Sequence, residues 1–185
     1  MKKLCIKLAE LFGWKYDIPE EGTRPDLRHC VLIAAPHTSV WDFFLGATCL
    51  WKLKINFCLF MKKEYFNFLT TPILRRIGVV PVDRGNRKNH MVDKAVETLK
   101  NNPDISVVLT PEGTRKATKR WKRGFYEIAS GAGVPVCLSY IDYSRKVMGL
   151  NKTVVMPSGD FEADMKIIKS QYSAEMAKHP KNFTK

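Results

Sequence analysis

The chain reads as an α/β protein: a single domain with a largely parallel central sheet covered by helices, and a short amphipathic helix at its amino end. Three observations predict this. Short apolar runs such as Val31-Leu-Ile-Ala and Ile105-Ser-Val-Val-Leu recur along the chain, and their composition suits strands buried on both faces. Longer segments with helical starts and stops stand between them, and strands alternating with helices make a parallel sheet. The length of 185 residues, 45% of them hydrophobic, supports one domain with a proper core and is too short for two comfortable ones.

Residues 2 to about 15 set Leu4, Ile6, Leu8, Leu11, Phe12 and Trp14 among Lys2, Lys3, Lys7 and Lys15. This pattern is a basic amphipathic helix, which either lies on a membrane or packs its apolar side against the domain formed by 16–185. A turn-rich segment over 17–25 reads as connection. Residues 31–36 read as a strand, and Ser39 ahead of Phe43, Phe44 and Leu45 starts a helix that runs to about Lys52. Residues 55–61 form a second buried strand, which Lys62-Lys63-Glu64 ends. A helix over about 65–76, kinked or broken at Thr71-Pro72, leads into Gly78-Val-Val-Pro-Val-Asp83-Arg84, a short strand that presents Arg84 at its carboxyl end. The remaining pattern is a helix over 89–100, a strand over 105–109 and the loop Thr110-Pro-Glu112-Gly113-Thr114-Arg115. A helix over 123–130, punctuated by Gly131 and Gly133, strands over 134–141 and 153–156, and a helix near 161–178 complete it. No internal repeat, low-complexity tract or interdomain linker interrupts the order.

Lys and Arg total 31 against 18 Asp and Glu, a formal net charge of +13, so the partner is anionic: nucleic acid and anionic lipid both qualify. The five cysteines, at 5, 30, 49, 58 and 137, form neither a CxxC pair nor a His/Cys cluster, which leaves no zinc or redox motif. Their odd number points to a reducing compartment. The amino end is too polar and too short for a signal peptide. The longest apolar stretch begins at Phe43 and meets Lys52 and Lys54, short of the roughly 18 residues a spanning helix needs. The expectation is a soluble or peripheral protein.

Polar groups of complementary kind end three of the expected strands. His37 follows the strand at 31–36, at the carboxyl end where open α/β sheets place ligands. Asp42 falls in the first turn of the next helix and can point back to His37, the geometry of a general base and its orienting carboxylate. Ser39-Val-Trp-Asp42 also fits a capping box, in which Asp42 only caps the helix. Arg84 ends another strand, and Glu112-Gly113-Thr114-Arg115 follows a third. Arg84 and Arg115 supply forked donors suited to a phosphate, and Gly113 removes a side chain where backbone N–H groups could approach an anion. Lys116, Lys119, Arg120, Lys122 and Arg123, with Trp121 among them, read mostly as a solvated face.

Four motifs in order resemble those of the lysophospholipid acyltransferases of the 1-acylglycerol-3-phosphate acyltransferase (PlsC) type. The H-x-x-x-x-D block is His37-Thr-Ser-Val-Trp-Asp42, and the Gly-containing strand ending in Arg is Gly78-Val-Val-Pro-Val-Asp-Arg84. The F-P-E-G-T-R block is Thr110-Pro-Glu112-Gly113-Thr114-Arg115, and the Val-Pro strand is Val134-Pro135-Val136. E-G-T-R alone would arise by chance about once in several hundred chains of this length. The likeness runs from roughly Gly13 to Ile168. Thr110 stands where the family usually has Phe, and the hydrophobic amino-terminal segment of longer members is reduced here to the short basic helix.

The resemblance implies an O-acyltransferase that moves a fatty acyl group from an acyl thioester to the hydroxyl of a lysophospholipid, 1-acylglycerol-3-phosphate, giving phosphatidic acid. His37 takes the hydroxyl proton and Asp42 holds the imidazole, a contribution of about 10² to 10⁴ in rate. Arg84, Glu112 and Arg115 position the acceptor, the arginines through its phosphate and Glu112 by holding an arginine or an acceptor hydroxyl. Gly113 and Thr114 complete that substrate-binding loop. No metal or resident cofactor is implied: acyl-CoA or acyl carrier protein serves as co-substrate, and the other partners are the lyso-lipid and an anionic membrane surface. The location implied is the cytoplasmic side, peripherally on the inner face of the membrane. An acceptor without glycerol phosphate, such as an amino-acid lipid, is the alternative within enzymes, and two arginines favour the phosphate. A nucleic-acid-binding domain would satisfy the charge alone, but it leaves His37, Asp42 and Glu112 without a role.

Overall fold

The computed structural model describes residues 2–20, 24–82 and 91–184. In chain order the elements are α1 (Lys2–Leu11), β1 (Lys15–Asp17), β2 (Val31–Ala34), α2 (Trp41–Lys52), β3 (Phe57–Lys62), α3 (Thr71–Arg76) and β4 (Val79–Val82). They continue with α4 (Met91–Asn101), β5 (Ser106–Leu109), α5 (Gly124–Ala132), β6 (Val136–Asp142), β7 (Val147–Val155) and α6 (Phe161–Ser170). Two 3-10 turns, Ala174–Met176 and Pro180–Asn182, follow in the carboxyl-terminal tail.

The strands form one sheet in the order β1-β7-β6-β2-β5-β3-β4. Every neighbouring pair is parallel except β6 and β7, so the expected α/β class with a largely parallel sheet is what the chain adopts. Alternate residues of one strand supply opposite cores, as strand geometry requires. Val31 and Ile33 pack with Leu99, Phe125, Ile128 and Met165 under α4, α5 and α6. Leu32 instead joins Leu27, Leu50, Val108 and Leu150 under α2. With no polar face on either side, the run Val-Leu-Ile-Ala is what such a strand needs.

Several boundaries differ from expectation for identifiable reasons. The expected helix over 65–76 is confined to Thr71–Arg76. Asn67 Oδ1 accepts the N–H groups of Leu69 and Thr70 at 3.0 and 2.9 Å, a local turn that competes with helix, and Pro72 suits only a first turn. The last strand begins at Val147 rather than 153 and runs antiparallel to β6. The hairpin is closed by Asp142, whose Oδ1 accepts from Ser144 Oγ at 2.6 Å and from the Arg145 N–H at 3.1 Å. The amino-terminal helix stops at Leu11, and residues 15–17 form β1, paired parallel to β7. Gly149 admits that strand, because a Cβ there would overlap the Asp17 carbonyl.

The final helix ends at Ser170, and the tail beyond it turns back over the sheet. The N–H of Tyr143 donates to the Met176 carbonyl at 2.9 Å, and Trp121 Nε1 donates to the Thr184 carbonyl at 3.3 Å.

Helix α1 lies on α2 through buried Ala9, packed with Cys49, Ile141 and Met148, and through an ion pair between Glu10 and Lys52. Its Leu4, Leu8 and Leu11 point outward instead, 61%, 44% and 79% exposed. Among the described residues, no helix is long and apolar enough to cross a membrane.

Candidate active site

The carboxyl end of β2 hands the chain through Pro36 to His37, and α2 begins four residues later at Trp41. Asp42, in the first turn of α2, is 7% exposed. Its Oδ2 accepts the N–H groups of Thr38 and Ser39, each at 2.8 Å, and lies 3.3 Å from His37 Nδ1. One oxygen therefore both braces the main chain ahead of α2 and lies against the imidazole. The pairing engages Nδ1 and leaves Nε2 away from Asp42.

The other oxygen of Asp42, Oδ1, accepts the Tyr143 hydroxyl at 2.7 Å. Burial works against the Asp42 charge, but the hydrogen bonds from His37, Tyr143 and Ser39 outweigh it and hold the carboxyl below its ordinary range. Burial, and then the Asp42 carboxylate, push the Tyr143 phenol up, so it remains a donor. Tyr143 was not among the residues the sequence singled out. It lies 101 positions from Asp42 and enters the site from the end of β6, with no local motif to mark it.

Glu112 arrives from the loop after β5, the strand paired parallel to β2. It is 1% exposed, and Oε1 accepts the backbone N–H of His37 at 2.7 Å. Sequence reasoning did not foresee this bond of Glu112 to the main chain of the histidine. The reason is register, since adjacent parallel strands bring the two following loops side by side. Its Oε2 is buried with no hydrogen-bond partner among the described residues. Burial raises the carboxyl to about 7, against the pull of the His37 N–H, with the Asp42 charge raising it further.

Gly113 has φ +65°, the left-handed conformation that favours glycine. Thr114 Oγ1 accepts the Lys116 N–H at 3.2 Å, and Arg115 donates to the Tyr65 hydroxyl at 3.3 Å. Arg84 lies outside the described residues, so its placement at the end of β4 is not described. Lys122 and Arg123 are exposed, as a solvated face requires, and they also line the cavity that Arg115 lines. Trp121, just ahead of them in the chain, is drawn into the core against Tyr172 and Phe183.

These side chains meet at a cavity of about 1110 Å³, larger than the roughly 300–1,000 Å³ typical of small-ligand sites. His37, Asp42, Gly113, Thr114 and Arg115 line it, whereas Glu112 stands behind His37. Its floor is Leu32, Val108 and Leu59 of the sheet, and its sides are Phe43, Ala47 and Leu50 of α2 and Leu74 of α3. An apolar furrow thus runs from a histidine–carboxylate pair, with cations at the polar end. Among the described residues, no three His, Cys, Asp or Glu side chains cluster to hold a metal ion.

Residues 17–141, well over half of the chain, match the model of the Acyltransferase family. The chain belongs to the acyltransferase family. The match includes His37, Asp42 and Glu112 and stops two residues before Tyr143. The fold is similar to that of the 1-acyl-sn-glycerophosphate (LPA) acyltransferase PlsC from Thermotoga maritima, at 19% sequence identity and a TM-score of 0.63. That likeness covers 92% of this chain and 77% of that one. No curated protein matches the chain.

Proposed function

We propose that the protein transfers a fatty acyl group from an acyl thioester, carried by CoA or acyl carrier protein, to the hydroxyl of 1-acylglycerol-3-phosphate, giving phosphatidic acid. The observation that carries this reading is the His37–Asp42 pair opening onto a large apolar furrow with Arg115, Lys122 and Arg123 at its polar end. In this mechanism His37 Nε2 takes the acceptor's hydroxyl proton as the oxygen attacks the thioester carbonyl carbon. The C–O bond forms, the C–S bond breaks, and the proton passes from the imidazolium to the leaving thiolate. Asp42 stabilises the imidazolium, and Tyr143, Thr38 and Ser39 fix Asp42. Glu112 fixes the main chain of His37. The furrow takes acyl chain, and the cations take phosphate.

Acceptor and product are bilayer lipids, so in this reading the protein works peripherally on the inner, anionic face of the membrane, with the exposed leucines of α1 as one attachment. The shared fold with PlsC, named for 1-acyl-sn-glycerophosphate, supports the same class of acceptor. Lipid mass spectrometry after incubation of the purified protein with labelled acyl thioesters and a panel of lyso-lipids tests it. Labelled phosphatidic acid is the expected product. Transfer only to a phosphate-free acceptor such as an amino-acid lipid, or to none of the panel, would overturn the assignment.

A further inference from the structure

The segment between β3 and α3 carries apolar surface that folding leaves outside. Phe68 is 93% exposed, Leu69 74% and Ile73 55%. They are not held out by disorder of the turn: Asn67 Oδ1 accepts the N–H groups of Leu69 and Thr70, and Thr70 Oγ1 donates to the Tyr65 carbonyl at 2.5 Å. Side-chain bonds thus brace the backbone so that Phe68 and Leu69 form the tip. A single exposed apolar residue needs no explanation, but a braced tip of two large ones beside a third does.

The same segment also forms the cavity's outer wall, because Tyr65, Thr70 and Leu74 line the furrow that holds His37. Across the opening, Trp41 and Phe44 of α2 are 59% and 53% exposed. Exposed Arg75 and Arg76 flank the tip on one side, and exposed Lys62, ion-paired with Glu64 at 3.0 Å, on the other. An apolar tip with cations behind it matches the layering of an anionic bilayer, apolar beneath and negative at the surface.

We infer that residues 65–73 form a membrane-insertion loop: Phe68 and Leu69 enter the apolar layer of an anionic bilayer while Lys62, Arg75 and Arg76 meet its headgroups. This rests on the lyso-lipid reading of the site, for which it supplies the route of access. An acceptor then passes from the bilayer into the furrow between the loop and α2 without its acyl chain crossing water. An acidic carrier protein would engage the cations but leaves the apolar tip unexplained, so the bilayer is the better fit.

The test is co-sedimentation of the full chain with phosphatidylcholine vesicles containing phosphatidylglycerol, for the parent, Phe68→Asp/Leu69→Asp and Phe68→Leu. Withdrawing both large side chains from an apolar phase should weaken vesicle binding by about a hundredfold or more. Phe68→Leu should keep parental binding. Because neither residue lines the cavity, turnover of a short-chain soluble acceptor should be unchanged in the double variant, which also shows that the fold survives. Parental vesicle binding by the double variant would overturn the inference. So would a defect seen only with acyl carrier protein as donor, which would assign the loop to that partner. Vesicle binding needs no turnover, so failure of the parent to acylate any lyso-lipid would remove the lyso-lipid reading while leaving this measurement intact.

Discussion

Asp42 receives donors on both oxygens: two main-chain N–H groups and the imidazole on Oδ2, and the Tyr143 phenol on Oδ1. His37 itself is held twice, through its ring by Asp42 and through its main chain by Glu112. His37→Ala keeps the main-chain bond and should leave the fold intact while lowering acyl transfer by about a hundredfold or more. Activity within about tenfold of the parent would remove His37 from the chemistry. Hydrogen bonds to charged groups contribute about 1.5–3 kcal/mol, and Tyr143 acts on the histidine only through Asp42. Tyr143→Phe should therefore lower kcat by about tenfold, move the acidic limb of the pH–rate profile and leave KM within about twofold. A loss confined to thermal stability would make it structural. Glu112 gives a prediction with a definite sign. Its folded-state value of about 7 lies above the ordinary 4.5, so its contribution to stability is full at low pH and is lost as pH rises through about 7, on the order of 3 kcal/mol in all. Glu112→Gln keeps an acceptor for the His37 N–H without a charge. Urea unfolding of parent and variant should converge towards pH 5 and diverge by pH 8 with the variant more stable, and parallel curves would refute the burial argument.

Helix α1 separates two tasks on one element. Ala9 and Glu10 tie it to α2, while Leu4, Leu8 and Leu11 face outward. Replacing the three leucines by Ser leaves the packed side alone, so it should lower binding to vesicles and activity on vesicle-presented acceptor while sparing activity on a short-chain soluble acceptor. Unchanged vesicle binding would show that the leucines have no such role. The elements also show which local signals prevail. For the helix over 65–76, apolar content argued for helix and Pro72 for a break, and the Asn67 turn decides for the break. For residues 147–152, Gly149, Asn151 and Lys152 interrupt the apolar run, which hid a strand that pairing with β6 makes favourable. Lys122 and Arg123 stay exposed as a solvated face does, and that this face borders the cavity is visible only once buried Trp121 fixes the run against the core.

At the scale of the whole molecule, the net charge of +13 should act on an anionic surface through many cations at once. Each adds on the order of 1 kcal/mol near such a surface, and screening shortens their reach from about 10 Å at 0.1 M salt to about 3 Å at 1 M. Binding to phosphatidylglycerol-containing vesicles should fall steeply as salt is raised over that interval, leaving a residue equal to binding on neutral phosphatidylcholine vesicles. Salt-independent binding would sink the electrostatic part of the attachment. The sequence by itself determined the α/β class, the carriage of His37 at a strand end, the reach of Asp42 back from the next helix turn, and the family. These depend on residues close in the chain, where strand and helix periodicity restrict the geometry. Only the tertiary structure decided that Tyr143 completes the hold on Asp42, that Glu112 binds the His37 main chain, and that the furrow between α2 and α3 opens beside an exposed Phe68. Those depend on which strands become neighbours and how their loops meet at one rim, an outcome of packing between residues tens of positions apart that leaves no local pattern.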